Sequence, residues 1–231
     1  MSIAENVANI KEQIRSAAIA AGRDPSTILL CAATKMNDAY AVRQAIAAGV
    51  DVCGENRVQE LVQKSAESAY EGAPVHFIGH LQTNKVRQVV GKVDLIQSVD
   101  RMKLLTAIQD EAARQGICQK ILLQINIGYE QSKGGFLPEE LGEILDELAT
   151  FPNISVCGLM AIPPISQNSG DNCKFFQEMY QLSVDITAKK RNNVSMEILS
   201  MGMSDDFADA IACGSTMIRI GTAIFGPRHY T

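Results

Sequence analysis

The sequence predicts one (β/α)8 barrel, and three observations support this fold class. Short apolar strand-like runs alternate with helical stretches, there are eight such runs, and 231 residues is within the range of one barrel domain. Strict alternation favours a parallel sheet, and eight units fit a closed barrel better than an open doubly wound sheet, which is the alternative. We therefore expect a single domain over residues 1–231.

The first half of the chain opens on a helix and then repeats strand and helix. Ile3, Val7 and Ile10 begin a series of apolar residues at helical spacing. This series predicts a helix over 3–22 that ends at a glycine. The run TILLCAAT (27–34) is apolar throughout, which is typical of a strand buried on both faces. The same pattern then predicts strands at 51–54, 75–79 and 93–99 and helices at 38–48, 57–69, 83–90 and 101–115.

The second half of the chain adds four more strands. No GxGxxG segment follows strand one, which argues against a dinucleotide-binding fold. Each strand except the last is followed by a helical segment. The predicted strands are 120–126, 154–160, 196–201 and 216–221, and the helices between them are 138–149, 171–190 and 205–213.

Composition excludes several classes of function. The net charge is -5 with basic and acidic residues interspersed, so no extended positive surface for nucleic acid is expected. No apolar run reaches the roughly 20 residues that span a bilayer, and the polar N-terminus does not resemble a signal sequence. We therefore expect a cytoplasmic protein without membrane contact. The cysteines form no CxxC pair and His76 lies in a predicted strand, so no metal site is expected.

Polar side chains collect at the C-terminal ends of the predicted strands, where barrels carry their active sites. Lys35 follows an apolar octet with only Thr34 between. Burial there disfavours the ammonium form and leaves a nucleophile that can form Schiff bases. From position alone, a lysine that extends to solvent at a strand end is the alternative.

Two glycine-bearing and hydroxyl-bearing segments follow strands seven and eight, where barrels usually bind phosphate. They are SMGMS (200–204) and IGTAIFG (220–226). Gly221 permits close approach of the backbone, and Ser204 and Thr222 offer hydroxyl donors. Together with a buried lysine, these segments indicate a phosphorylated carbonyl ligand. The sugar phosphate of a Schiff-base aldolase and pyridoxal 5′-phosphate (PLP) both meet this description.

A resemblance separates these two ligands. The strings that carry it are AATK (32–35), GENRVQE (54–60), HFIGHLQTNK (76–85), GLM (158–160), LSMGMSDDF (199–207) and IRIGTAIFG (218–226). In this order they resemble the YggS/PROSC family of pyridoxal phosphate homeostasis proteins. The resemblance implies a barrel similar to the N-terminal domain of alanine racemase, with PLP held as an imine on Lys35.

The resemblance also implies roles for residues at the strand ends. Arg219 matches the arginine that faces the pyridine nitrogen, and an ion pair with a carboxylate is the alternative for this residue. His80 is expected to line the pocket or to lie behind a lining residue. The remaining matches are Ser200, Ser204, Gly221 and Thr222 at the phosphate and Asn56 at the pocket wall. No role is assigned to Tyr129, Glu130 or Lys133.

The resemblance favours a carrier over an enzyme. Racemases of this barrel type add a C-terminal β-domain and take a catalytic tyrosine from a partner subunit. The sequence ends at Thr231, so we expect neither this domain nor the second acid/base group for two-sided proton transfer. A monomeric PLP carrier that supplies apoenzymes, with no catalytic residues of its own, is the first hypothesis. A weak racemase-like enzyme is the second, and a Schiff-base aldolase is the third.

Overall fold

Eight parallel strands close into a barrel in the computed structural model, which describes residues 1–165 and 168–226. Each strand pairs with the next in chain order, and the last pairs with the first, so the predicted closed barrel is confirmed and the open sheet is excluded. Strands β1 to β8 are Leu29–Ala33, Val52–Glu55, Val75–Phe77, Leu95–Val99, Gln119–Ile125, Ile154–Ala161, Val194–Ser200 and Met217–Ile220.

The helices alternate with these strands as the sequence predicts, except that a one-turn helix, Thr222–Phe225, also follows the last strand, where none is predicted. A capping box begins the first helix, because the Ser2 hydroxyl accepts from the Glu5 amide and the Glu5 carboxylate accepts from the Ser2 amide. The helices α1 to α8 are Ile3–Ala20, Ala39–Ala47, Val58–Ala66, Met102–Gln115, Leu141–Glu147, Cys173–Ala188, Phe207–Ala212 and Thr222–Phe225. Short 3-10 helices lie at Pro25–Thr27, Thr83–Gln88, Pro138–Glu140 and Leu148–Thr150.

The helix predicted over 83–90 is present, but it is shorter than expected and is not an α-helix. The segment is a 3-10 helix over Thr83–Gln88, in which amide groups bond to the carbonyl three residues back. Val86 and Val89 are both buried, and a repeat of three residues places them on the same side of the helix. The apolar spacing therefore fits the tighter helix as well as it fits an α-helix.

Alternation along the strands divides the core into an outer layer and a barrel interior. Leu30 and Ala32 of β1 pack in the large cluster between strands and helices, whereas Cys31 between them packs in a separate small cluster with Met217 of β8. Successive residues of a barrel strand point alternately outward and inward. Cys31 and Met217 therefore face the barrel interior. No helix in the described ranges is long and apolar enough to cross a membrane.

Candidate functional site

The barrel register brings several predicted site positions together at the mouth, meaning the C-terminal strand ends and the loops after them. β1 is paired with β2 on one side and with β8 on the other. Lys35 follows β1 by two residues, and Asn56 and Gly221 directly follow β2 and β8. A methyl group added at Gly221 would lie 3.5 Å from the Ala33 side chain, so the backbone after β8 runs beside the end of β1.

Lys35 lies between a buried strand end and a left-handed turn. Thr34 before it is fully buried, and Lys35 itself is half-buried. Met36 after it has φ 62°, in the left-handed region that residues other than glycine rarely adopt. The Asn37 amide group donates to the Lys35 carbonyl at 3.0 Å. The lysine is therefore neither enclosed in the core nor fully solvated.

Arg219 is a buried cation of the barrel interior. It stands opposite Cys31 in the β1–β8 register, and its neighbours Ile218 and Ile220 pack in the outer layer. The guanidinium donates through Nη1 to the carbonyl and the hydroxyl of Ser200, both at 2.7 Å, and through Nη2 to the Ala161 carbonyl at 2.8 Å. The Nε–H group makes no hydrogen bond among the described residues.

The charge of Arg219 lacks a carboxylate partner in the described part of the chain. All three of its hydrogen bonds go to neutral oxygens, and no ion pair involves it there. Burial lowers the pKa of Arg219 to about 10, so the side chain stays charged at neutral pH. The structural ion pair that is the alternative for this residue is therefore absent among residues 1–165 and 168–226.

Ser200 supports the arginine. Its hydroxyl is fully buried, accepts from Arg219 and donates to the Gln97 carbonyl oxygen at 2.7 Å. Because that oxygen is the acceptor, the Gln97 amide nitrogen donates to Nδ1 of His76, 2.9 Å away. Burial lowers the pKa of His76 to about 4, so its ring is neutral at pH 7. These contacts favour a role for Ser200 behind Arg219 over the direct phosphate contact that the resemblance implies.

The predicted phosphate segments are adjacent, and each carries an exposed hydroxyl residue beside buried ones. The carbonyl of Gly202 accepts from the Arg219 amide at 3.0 Å, which fixes the loop after β7 to β8. Gly202 has φ 93°, and a methyl group there would lie 2.6 Å from the Ala210 side chain, so only glycine fits. Ser204 and Thr222 are exposed, and neither hydroxyl has a hydrogen-bond partner among the described residues.

Asn56 lies at a close contact between the ends of β2 and β3. A methyl group at Gly79 would lie 2.0 Å from the Asn56 carbonyl oxygen, so the backbone after β2 and the backbone after β3 are in direct contact. The Asn56 amide donates to the Glu55 carboxylate at 2.8 Å. The side-chain oxygen Oδ1 of Asn56 is buried and has no partner among the described residues. An acceptor in this state is rare in proteins and indicates a ligand or a water molecule.

His80 lies at the rim of the mouth. Its side chain is 64% exposed, and Nδ1 is 3.3 Å from the Asp100 carboxylate. Asp100 orients the ring while most of it contacts solvent. Of the two predicted positions for His80, this exposure favours the pocket edge over a buried position behind the lining residues.

The polar groups of the loop after β5 bond to one another and to the loop after β6. Lys133 donates to the Pro163 carbonyl at 3.0 Å and pairs with Glu130 at 2.6 Å, and the Tyr129 hydroxyl donates to Glu139 at 3.1 Å. These contacts connect the loops after β5 and β6. Within the described residues, no group of three or more His, Cys, Asp or Glu side chains could hold a metal ion.

Sequence reasoning missed the groups behind Arg219. The Ala161 acceptor is a backbone carbonyl, which no side-chain pattern reveals. Gln97 did give a signal, because it interrupts the apolar run VDLIQSV and a buried amide needs partners for its donors and its acceptor. The pattern could not show that these partners come from strands three and seven.

The barrel and the polar groups at its mouth define a class of protein. Residues 2–229 match the family model described as "Alanine racemase, N-terminal domain". The alanine racemase of Clostridium difficile 630 shares the fold, with TM-score 0.71 and 17% identity over 98% of this chain and 57% of its own. The chain is therefore a (β/α)8 barrel of the alanine racemase N-terminal domain class. The match spans 57% of the racemase chain.

More similar relatives identify the family. The chain is 40% identical over 230 residues to the pyridoxal phosphate homeostasis protein of Aquifex aeolicus, covering 100% of both chains. It is 40% identical over 229 residues to that of Pseudomonas aeruginosa, covering 99% of this chain and 97% of the relative. PipY of Synechococcus elongatus, solved with PLP bound, has TM-score 0.84 and 32% identity over 97% of this chain and 100% of its own. The chain belongs to the family of pyridoxal phosphate homeostasis proteins, which confirms the resemblance.

Proposed function

We propose that this protein holds PLP at the barrel mouth, as an imine on Lys35, and acts in PLP homeostasis as a carrier to apoenzymes. The family membership and the PLP bound to PipY support this proposal. The relatives from Aquifex aeolicus and Pseudomonas aeruginosa are named as homeostasis proteins rather than as enzymes. The observation in this chain that carries it is Arg219, a buried cation whose described partners are all neutral. The proposal includes a monomeric protein with one domain over residues 1–231.

Arg219 fits the ring nitrogen of PLP. PLP supplies an aldehyde that a lysine amine can bind covalently and a pyridine ring that withdraws electrons when its nitrogen is protonated. A guanidinium only donates hydrogen bonds and stays charged, so Arg219 favours the unprotonated nitrogen. The free Nε–H group is available for this contact. A ring held in this form is a poor electron sink, which suits a protein that stores a reactive cofactor.

The other residues of the mouth fit the remaining groups of PLP. Ser204 and Thr222 would donate their unpartnered hydroxyl protons to the phosphate, and Gly221 would let the backbone approach it. The buried acceptor of Asn56 would accept a hydrogen bond from the ligand or from a water molecule beside it. No residue is assigned an acid or base role toward a substrate, so the proposal is a binding function.

The test is the visible absorbance of the purified protein loaded with PLP, before and after borohydride reduction. We expect an imine band that reduction removes, with the reduced adduct mapped to Lys35. Lys35→Ala should lack the band and keep the circular dichroism of the parent. An adduct on Lys85 or Lys133 would refute the site. Turnover in an amino-acid panel at ordinary enzyme rates would refute the carrier role in favour of the racemase-like alternative.

The phosphate assignment has its own test. Ser204→Ala combined with Thr222→Ala should weaken PLP binding, because each lost donor to the phosphate contributes about 1.5–3 kcal/mol as a charge-assisted hydrogen bond. Binding of pyridoxal, which lacks the phosphate, should not change. Thr106→Ala, at an exposed position of α4, is the matched control. Equal PLP affinity of the double variant and the parent in an equilibrium titration would exclude this phosphate site.

A further inference from the structure

The segment GENRVQE (54–60) and the helix after it contain ionised side chains that the proposed function does not use. Glu55 ends β2 and is fully buried, and Lys64 lies on α3 and is 4% exposed. Glu60, one helical turn before Lys64, is mostly buried. Two carboxylates and one ammonium group are thus packed between β1, β2 and α3.

Lys64 directs all three of its ammonium protons at oxygens. Its Nζ donates to the Glu55 carboxylate at 2.7 Å, to the Glu60 carboxylate at 2.9 Å and to the Thr34 carbonyl at 2.8 Å. The third of these acceptors belongs to the residue directly before Lys35. The ammonium group therefore connects the ion cluster to the backbone on the N-terminal side of the lysine.

The two carboxylates hold further groups around Lys35. Glu60 accepts from the Met36 amide at 2.7 Å, on the C-terminal side of the lysine. Glu55 accepts from the Thr34 hydroxyl at 2.9 Å and from the Tyr70 hydroxyl at 3.2 Å. The backbone is therefore fixed immediately before and immediately after Lys35 by the same three ionised residues.

Three buried charged side chains are an inefficient way to stabilise this part of the fold. Apolar residues of similar volume often replace buried ion pairs without loss of stability, whereas ionic groups can fix one geometry. The geometry fixed here includes Met36 at φ 62°, which residues other than glycine rarely adopt. The Met36 amide that Glu60 accepts from belongs to this strained residue.

We propose that Glu55, Glu60 and Lys64 form a clamp that positions Lys35 at the barrel mouth for its imine with PLP. The inference rests on the proposed function and deepens it. The three residues are positioning residues, because their described contacts hold Thr34 and the backbone on either side of Lys35. The clamp sets the strand end and the left-handed turn, and these set the direction in which the lysine side chain leaves.

Glu60 is the member to vary, because its carboxylate is at the edge of the cluster and its loss leaves Lys64 paired with Glu55. Glu60→Ala removes the acceptor of the Met36 amide, and Glu60→Gln retains an acceptor oxygen there. Glu67→Ala is the matched control, since Glu67 is exposed at the end of the same helix. All four proteins are compared without PLP by amide hydrogen exchange at Met36 and with PLP by equilibrium titration of the imine band.

In Glu60→Ala we expect faster exchange of the Met36 amide and a loss of imine affinity of about tenfold, which corresponds to about 1.4 kcal/mol. Glu60→Gln should retain most of both properties, and the control should match the parent. Unchanged Met36 exchange in Glu60→Ala, or unchanged imine affinity despite faster exchange, would overturn the clamp. A parent protein that forms no imine would refute the proposed function instead, while the exchange data on PLP-free protein would still decide whether Glu60 holds the turn.

Discussion

The barrel buries two cations in opposite ways. Lys64, 4% exposed, is paired with two carboxylates, whereas Arg219, 5% exposed, bonds only to neutral oxygens in the described part of the chain. A paired cation has no capacity left for a ligand and can only fix the protein around it. An unpaired one retains its charge and a free donor, which a ligand can use. Burial alone therefore does not distinguish a structural cation from a functional one, but the partners do.

The largest effect that this comparison predicts is on folding, at Lys64. Lys64→Ala leaves Glu55 buried without its counter-charge, and breaking a buried pair in this way typically costs about 3–5 kcal/mol. Urea denaturation of the PLP-free protein measures the loss. The double variant Lys64→Met with Glu55→Gln should recover part of it, because no uncompensated charge then remains on that strand. A loss below about 1 kcal/mol in Lys64→Ala would remove the distinction.

His76 extends the comparison, because it is a third buried basic side chain and burial keeps it neutral rather than charged. Its folded pKa of about 4 lies below the ordinary value near 6.5, so the unfolded state binds more protons between these pH values. Its contribution is complete above pH 6.5 and is lost as the pH falls to 4, with a total of about 3 kcal/mol.

This pH dependence is measured as the free energy of unfolding from pH 7 to pH 4. His76→Gln should lose less stability over the range than the parent does. Parallel curves for the parent and His76→Gln would show that the ring does not titrate between these values.

The next effect concerns Arg219 and should appear mainly in binding. Arg219→Met leaves no opposite charge behind, but it leaves the buried Ser200 and Ala161 acceptors without their donor, so we expect a stability loss of about 1–3 kcal/mol, smaller than in Lys64→Ala. PLP affinity should fall by about tenfold or more, because a charge-assisted hydrogen bond is lost. Urea denaturation and PLP titration of the same preparation measure both. A stability loss equal to that of Lys64→Ala would show that the two cations are alike.

The smallest effect is expected at the turn that the clamp holds. Met36→Gly relieves a left-handed conformation that costs other residues roughly 1–2 kcal/mol, but glycine loses about 0.5–1 kcal/mol in chain entropy. The difference is a net gain of about 0–1.5 kcal/mol, to be measured by thermal denaturation. Gly22→Ala is the opposite control, since Gly22 has φ 68° and open space around it. A destabilised Met36→Gly would mean that the methionine side chain contributes more than its backbone costs.

The sequence predicted the order of the barrel elements and the positions at the strand ends, because alternating apolar runs and helical periodicity are local signals. Asn56 and Gly221 indeed directly follow their strands, and Lys35 follows β1 by two residues. The sequence did not distinguish an α-helix from a 3-10 helix at 83–90, because the buried valines there fit both helical repeats. Such ambiguity arises where several local structures satisfy one apolar pattern.

The partners of the polar residues could not be predicted in the same way. Strands buried on both faces show no alternation of polar and apolar residues, so the pattern does not reveal which side chains face the interior. The hydrogen bond from Ser200 to Gln97 joins residues 103 positions apart, and the one from Lys64 to Thr34 joins residues 30 positions apart. The GENRVQE string identified the family without indicating that Glu55 and Glu60 act on Lys35. Such long-range pairings become visible only when the barrel is closed.

The contact between Gly79 and Asn56 has a consequence for sequence variation. A methyl group at position 79 would lie 2.0 Å from a backbone carbonyl, which cannot move without separating the ends of β2 and β3. Gly22 has only its dihedral angle to satisfy, so asparagine is an acceptable replacement there. In a library of random substitutions, position 22 should retain several residues and position 79 only glycine. Two glycines that look alike in the sequence thus differ in how freely this barrel can drift over evolutionary time.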